Sequence, residues 1–166
     1  MTVSEQQYLK KRHSEIKALG DKVISSDGSM VIEGFEGMYL LTKQFPWPTV
    51  TPVGEIEVPT IMGTSRWQSG QAKLNHQGAV TLQEVVAGSV DDMLLQLLQN
   101  GGTFDAKVYE GIPQAHLRYK PIYDCFFTME NPDRDFENRT QVLTFSGTLF
   151  FHYFGEVEQG NSDNYR

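Results

Sequence analysis

Along most of the chain, apolar residues recur with the two-residue spacing of a strand. Phe104, Ala106 and Val108 alternate against Asp105, Lys107 and Tyr109, the pattern of a half-buried strand. Leu117–Met129 is a longer candidate carrying Tyr119, Ile122 and Phe126. Thr140–Phe154 is the longest. Leu143, Phe145, Gly147, Leu149, Phe151 and Tyr153 fall on one face; Val142, Thr144, Ser146, Thr148, Phe150, His152 and Phe154 fall on the other. A half-exposed antiparallel strand is polar on its outer face. The second face here turns from hydroxyl-rich to aromatic, so it predicts cover from another surface, and a partner subunit is one source.

Between residues 89 and 100 the period changes. Val90, Met93, Leu94, Leu97 and Leu98 follow i, i+3, i+4, i+7, i+8, which predicts an amphipathic helix. Ser89 stands at the N-cap position, Asp91 and Asp92 complement the dipole in the first turn, and Asn100-Gly101-Gly102 ends it. A second helix is predicted over 4–19, capped by Ser4 and stopped by Gly20. Its stripe of Tyr8, Leu9, Arg12, Ile16 and Leu19 is thin, so it is peripheral.

The remaining segments are punctuated by glycine and proline. Met30–Phe35 and Met38–Lys43 read as two short strands around Gly34 and Gly37, in the manner of a hairpin or a bulged strand. Residues 44–55 hold three prolines and read as a stiff, extended excursion carrying Trp47. Residues 55–62 alternate as a strand, 63–70 read as a loop with Trp67, and 71–75 with 79–87 read as a hairpin around His76-Gln77-Gly78. Residues 131–139 are a polar connection. The fold expected is mainly β (α+β): a small antiparallel sandwich or barrel, one packed amphipathic helix (89–100) and a peripheral N-terminal helix. The chain divides into an arm (1–28), a β domain (29–156) and a loose tail (157–166).

Composition narrows the function classes. At 166 residues and 39% hydrophobic, the chain suits one domain with a substantial core. The net charge of −7 and sequence pI of about 5.0 argue against wrapping nucleic-acid phosphates. Charge is uneven: residues 1–24 hold five basic and three acidic side chains, a net +2 that leaves the rest at −9. A basic head can dock on the acidic body of another copy or stand as a solvated helix. One cysteine excludes an intrachain disulfide. No run nears the roughly 20 apolar residues of a membrane span, and the polar N-terminus lacks a signal h-region, so a reducing cytoplasm is the expected site of synthesis.

Candidate chemistry is sparse. Cys125 lies in an apolar strand and reads as buried and inert. His13, His76, His116 and His152 are dispersed, without metal-ligand spacing. Asp133, Asp135 and Glu137 resemble the start of a calcium loop, but Asn138 and Thr144 occupy the positions that need Gly and Glu. Salt bridges to Arg134 and Arg139 are the alternative. Asn138-Arg139-Thr140 matches a glycosylation sequon by chance. No catalytic constellation, cofactor or metal site is expected. Trp47 and Trp67 serve either as interface anchors or as staples of their own loops.

The order of elements, the GEIEVPT…RWQSGQAKLNHQGAVTLQE stretch, the capped SVDDMLLQLLQNGG helix and the closing SGTLFFHYFGE strand resemble the tail tube proteins of contractile-tailed bacteriophages over roughly residues 29–156. The N-terminal helix departs from that pattern. The resemblance implies a non-enzymatic virion protein, made in the host cytoplasm, whose six-membered rings stack into a tube inside a contractile sheath. DNA passes through the lumen without specific binding, and a wall of one negative sign repels phosphates. Implied partners are further copies, the sheath, tape-measure, baseplate and tail-terminator proteins. Ring stacking falls to a loop near Gln44–Gln71 with Trp47, Pro48, Pro52 and Trp67; the inter-subunit strand carries Thr144, Ser146, Thr148, Phe150 and His152. The alternatives are a type VI secretion tube subunit, a baseplate-proximal ring, a monomeric β-sandwich binding module using the two tryptophans, and a small hydrolase using Cys125/His152 or Asp133/Asp135.

Overall fold

The computed structural model describes residues 5–163; the predicted cap Ser4 lies outside them. Among the described residues two helices form, α1 (Gln6–Ala18) and α2 (Ser89–Gln99). The strands are β1 (Ser29–Ile32), β2 (Thr42–Gln44), β3 (Glu55–Pro59), β4 (Ser65–Ser69), β5 (Asn75–Gln83), β6 (Phe104–Ile112), β7 (Ala115–Met129), β8 (Thr144–His152) and β9 (Glu158–Gln159). Every pairing is antiparallel. Seven strands make one sheet in the order β1-β6-β7-β8-β5-β2, with β9 beside β7, and β3–β4 is a separate ribbon. This is the mainly-β class that the periodicity predicts, with α2 packed and α1 peripheral.

One buried cluster holds the fold. It takes Met30 and Ile32 from β1, Ala106 and Val108 from β6, Ile122 and Cys125 from β7, Leu149 and Phe151 from β8, Val80 and Leu82 from β5, and Val90, Met93 and Leu97 from α2. A single cluster collects from both ends of a sheet only when the sheet curls around it, and α2 fills the concave side. The sheet is open, since β1 and β2 share no ladder. Gly28 packs against the Phe45 ring across that seam.

Several local expectations need correction. The second run of the 30–43 hairpin is a 3-10 turn (Glu36–Leu40) leading into β2, and β1 and β2 pair at opposite ends of the sheet. His76-Gln77-Gly78 is no turn: β5 runs straight through it against β8. Glycine is there for another reason, because a Cβ on Gly78 would sit 2.4 Å from Pro46 Cβ. Residues 63–70 are mostly strand, since β4 pairs with β3 from Ser69 to Ser65.

Ser89 does not cap α2. Gly88 is the N-cap, at φ +77°, and Glu84 supplies the acceptor. Val90 and Asp91 donate backbone N–H groups to its carboxylate at 3.0 Å each. Leu98 is exposed instead of joining the buried face. The tail is held as well: β9 pairs with Arg118 and Tyr119, and Asn161 accepts the His116 N–H at 3.1 Å. Its polar sequence hides this because the bonds are mainly backbone. Pro121 sits inside β7 at no ladder cost, in the stretch 120–122 where the partner on one side changes from β9 to β8.

Candidate assembly surfaces

The proline-rich excursion is rooted in the sheet and ends in a free arm. Pro46 lies over Gly78 of β5, and Pro48 is fully buried. The Lys120 ammonium, from β7, donates to the Pro48 carbonyl at 2.7 Å. The same ammonium stands over the Trp47 ring at 4.7 Å and the Tyr153 ring at 5.4 Å. Burial and the nearby Arg118 push Lys120 below the usual lysine range, and Glu110 offsets part of this. Glu110 is buried and receives the Arg118 guanidinium. Proline at both ends of the root fixes the direction in which the chain leaves the sheet.

Beyond the root, the two halves of the excursion zip together. Lys73 N–H donates to Thr51 O, Val53 N–H to Gln71 O and Gly70 N–H to Gly54 O, at 2.7–2.8 Å. The β3–β4 ladder then continues to Pro59↔Ser65. From Thr51 to Thr60 this arm runs about 30 Å at the normal rise of a strand. Its tip is closed by Thr60 N–H to Thr64 O at 2.8 Å and Thr64 Oγ1 to Ile61 O at 2.7 Å. Met62 there adopts φ +61°. Ile61 is 82% exposed, Met62 95% and Trp67 68%. A lone two-stranded ribbon is marginal in water, and apolar side chains displayed this fully are the mark of a surface that another molecule covers.

A second surface is the outer face of the central sheet. Thr144, Ser146, Thr148, Phe150 and His152 stand on β8. β5 sets Gln83, Thr81, Ala79, Gln77 and Asn75 directly opposite them, and β7 adds Thr128 and Phe126. Phe126 and Phe150 stack at 4.9 Å. The Thr81 hydroxyl reaches Gln44 Oε1 at 3.3 Å. His152 Nδ1 lies 3.2 Å from the Tyr123 carbonyl, which can only accept, so that nitrogen carries the proton. These positions hold no Asp, Glu, Lys or Arg; they form a carpet of hydroxyls and amides with two phenyl rings and one imidazole.

The predicted residues therefore divide. Trp47 and Pro48 belong to the root and are partly or wholly covered, so Trp47 is half staple. Pro52 lies in the arm, bridged to Ala72, and Trp67 is displayed outward across from Glu57. The β8 residues share one face, but β8 is paired on both sides, by β5 and β7, so it offers no free edge to another subunit and only its face could meet one. Ile61, Met62, Lys120 and Gly78 were missed. The two threonines bracketing Ile61-Met62-Gly63 were the available signal for the tip; nothing in the sequence marked Lys120.

No catalytic site is assembled from the candidates. Cys125 faces the core and His152 the opposite side of the sheet. Burial, reinforced by Asp105 and Asp124, pushes the Cys125 thiol up to about 12. Asp135 accepts the Glu137 N–H at 3.0 Å and turns its own loop. Among the described residues no group of three or more His, Cys, Asp or Glu is placed to hold a metal ion, and no helix is long and apolar enough to cross a membrane.

No family model matches the chain, and no curated protein matches it in sequence. Its fold, however, is found in solved contractile particles. A chain of the sheath–tube complex of an extracellular contractile injection system, PVC, in its extended state superposes at TM-score 0.56 and 13% identity, over 87% of this chain and 94% of that one. A chain from the tube-terminating cap of the anti-feeding prophage gives 0.55 and 11%, over 84% and 92%. A chain of the PVC sheath/tube terminator gives 0.54 and 11%, over 84% and 96%.

Proposed function

We propose that this chain is a structural, non-catalytic subunit of a contractile tail or injection particle, and that its copies form six-membered rings stacked as the inner tube. The observation that carries the reading is the shared fold, which spans nearly the whole of the matched tube, cap and terminator particle chains. The free edges β1 and β2 support lateral pairing, because unpaired edges of one copy are matched by those of the next. The arm supports ring-to-ring contact through Ile61, Met62 and Trp67. Such contacts need a preorganised loop, and the rooted prolines provide it.

In this arrangement the outer face of β5, β8 and β7 forms the tube wall. The named positions on that face carry hydroxyl, amide and aromatic side chains and no carboxylate. Hydroxyl and amide groups still offer no cations to hold phosphates, so passing DNA slides without specific binding. A virion tail is then the destination, with sheath, tape-measure, baseplate and tail-terminator proteins as neighbours. A second reading, a cap or terminator ring in place of the main tube, is favoured by the comparable fit to the cap and terminator chains.

Electron microscopy of the purified full chain tests this. Annular or filamentous objects about one ring wide are expected. Ile61→Ser/Met62→Ser shortens or abolishes filaments while leaving the melting temperature unchanged, since both side chains are already in solvent. A chain that stays monomeric at high concentration overturns the reading, as does a double variant with filaments of normal length.

A further inference from the structure

Away from the arm and the outer wall, the largest unexplained feature is α1. None of its residues is buried, and Leu9 and Ile16 hold an apolar stripe in solvent, continued by Leu19. A helix of 13 residues is marginal in water without a surface to lie on. Arg12 is committed locally, to Glu15 at 2.7 Å and the Tyr8 ring at 5.0 Å. Lys10 and Lys17, seven positions apart, both flank the stripe on one side and have no ion-pair partner among the described residues.

The body carries a matching surface. A groove of about 410 Å³ crosses the outer face of β1, β6 and β7. Val31, Pro121 and Tyr123 give it apolar lining; Glu33, Glu36 and Asp105 rim it. The rim is fixed in place. Glu33 N–H donates to the Asp105 carbonyl at 3.0 Å, Asp124 N–H to Asp105 Oδ1 at 3.1 Å, and Gly34 N–H to Glu36 Oε1 at 3.2 Å. The one cation lining it among the described residues, Lys107, is drawn over the Tyr119 ring at 5.3 Å. An apolar stripe with lysines on its flank and an apolar floor with a carboxylate rim are complementary in both polarity and charge. The same complementarity holds at large, +2 on residues 1–24 against −9 on the rest.

We propose that α1 of one copy lies in this groove of a second copy, as an arm that couples neighbouring subunits. The coupling concerns a pair of copies and stands independently of whether rings stack. Burying Leu9 and Ile16 holds the helix formed, and the lysines set its direction along the rim.

Chains carrying one added cysteine test it. Cys125 is buried and its thiol is pushed up to about 12, so it does not compete. Full-length Ile16→Cys is mixed with full-length Lys107→Cys and treated with a short bismaleimide. A cross-linked pair is expected in the mixture. Adding Lys10→Glu/Lys17→Glu to the first chain lowers its yield about tenfold at low salt, and Glu33→Lys/Glu36→Lys in the second chain restores it. Absence of the mixed product overturns the proposal. So does a yield indifferent to these charges, or a predominance of Ile16→Cys pairs, which would mean helix-on-helix contact. A doubly substituted chain that links within itself at high dilution also overturns it, because the helix then lies in its own groove. Mixed product without rings in the microscope leaves the arm exchange standing and removes the tube.

Discussion

Removing the Glu84 carboxylate should loosen α2, and the size of the effect follows from three bonds. Val85 donates its N–H to Oε1 at 2.9 Å, Val90 to Oε1 at 3.0 Å and Asp91 to Oε2 at 3.0 Å. Two of these donors belong to the first turn of α2, which has no other side-chain cap. Loss of a helix cap costs about 0.5–2 kcal/mol, and loss of a negative charge at a helix N-terminus adds about 0.3–1 kcal/mol. Glu84→Ala is therefore expected to cost about 2 kcal/mol, a fall in Tm of about 4–8 °C for a domain of this size. Glu84→Gln keeps one acceptor oxygen and should cost about half as much.

The pH dependence separates the charge from the geometry. Burial alone would push the Glu84 carboxyl up; the N–H bonds from Val90, Asp91 and Val85, with Arg134 nearby, outweigh it and hold the group below the usual glutamate value. A carboxyl depressed in the folded state stabilises the fold fully above its unfolded pKa, and that contribution disappears as pH falls through the folded one. The gap between wild type and Glu84→Gln should hold steady from pH 8 to 6 and narrow once pH falls below the ordinary glutamate range. Thermal unfolding followed by far-UV dichroism, at one fixed protein concentration, measures both effects. An unchanged Tm in Glu84→Ala, or a gap to Glu84→Gln that does not narrow at all as pH falls below the ordinary glutamate range, would refute the capping argument.

Two further outcomes probe the packing. Gly147 faces Met129 on β7, where a Cβ would come within 2.1 Å of the Thr128 carbonyl oxygen; Gly147→Ala should therefore destabilise by more than about 2 kcal/mol or prevent folding, and a soluble variant with wild-type urea midpoint would contradict the register. Cys125, buried and with its thiol up at about 12, should resist iodoacetamide at pH 8 in the native protein and react within minutes in urea; equal rates in both states would show that the strand opens.

The strands and helices with long periodic runs were legible in the sequence; their partners were not. Leu149 and Phe151 announce a buried face of β8, and Val90, Met93 and Leu97 announce the buried face of α2. Failures came where a residue type had two physical meanings. Gly78 reads as a turn by its freedom, yet it stands in a strand because Pro46 lies over it. Ser89 reads as a cap, yet the true acceptor, Glu84, comes from before the turn and reaches back through the fold. Trp67 reads as a loop anchor because Gly63 and Gly70 bracket it, and those glycines close the ends of a ribbon. The candidate surfaces were half visible: the excursion was marked by its prolines, but the Lys120 clamp depends on a contact more than seventy residues apart, and the zipped arm on backbone bonds that no side-chain pattern marks.

The rooted arm has a consequence for the dimensions of the proposed stack. Direction is decided at Pro46, Pro48 and Lys120, whereas reach is decided only by how many residues lie between Gly54 and Gly70. Adding one residue to each side moves the tip by about 3.4 Å without touching the base, although it also turns the ribbon over by one side chain. Natural or engineered insertions there, made two per side, would act as a ruler. In the proposed stack they would reset the repeat distance between neighbouring layers in steps of roughly 7 Å, and leave the machinery of folding unaltered.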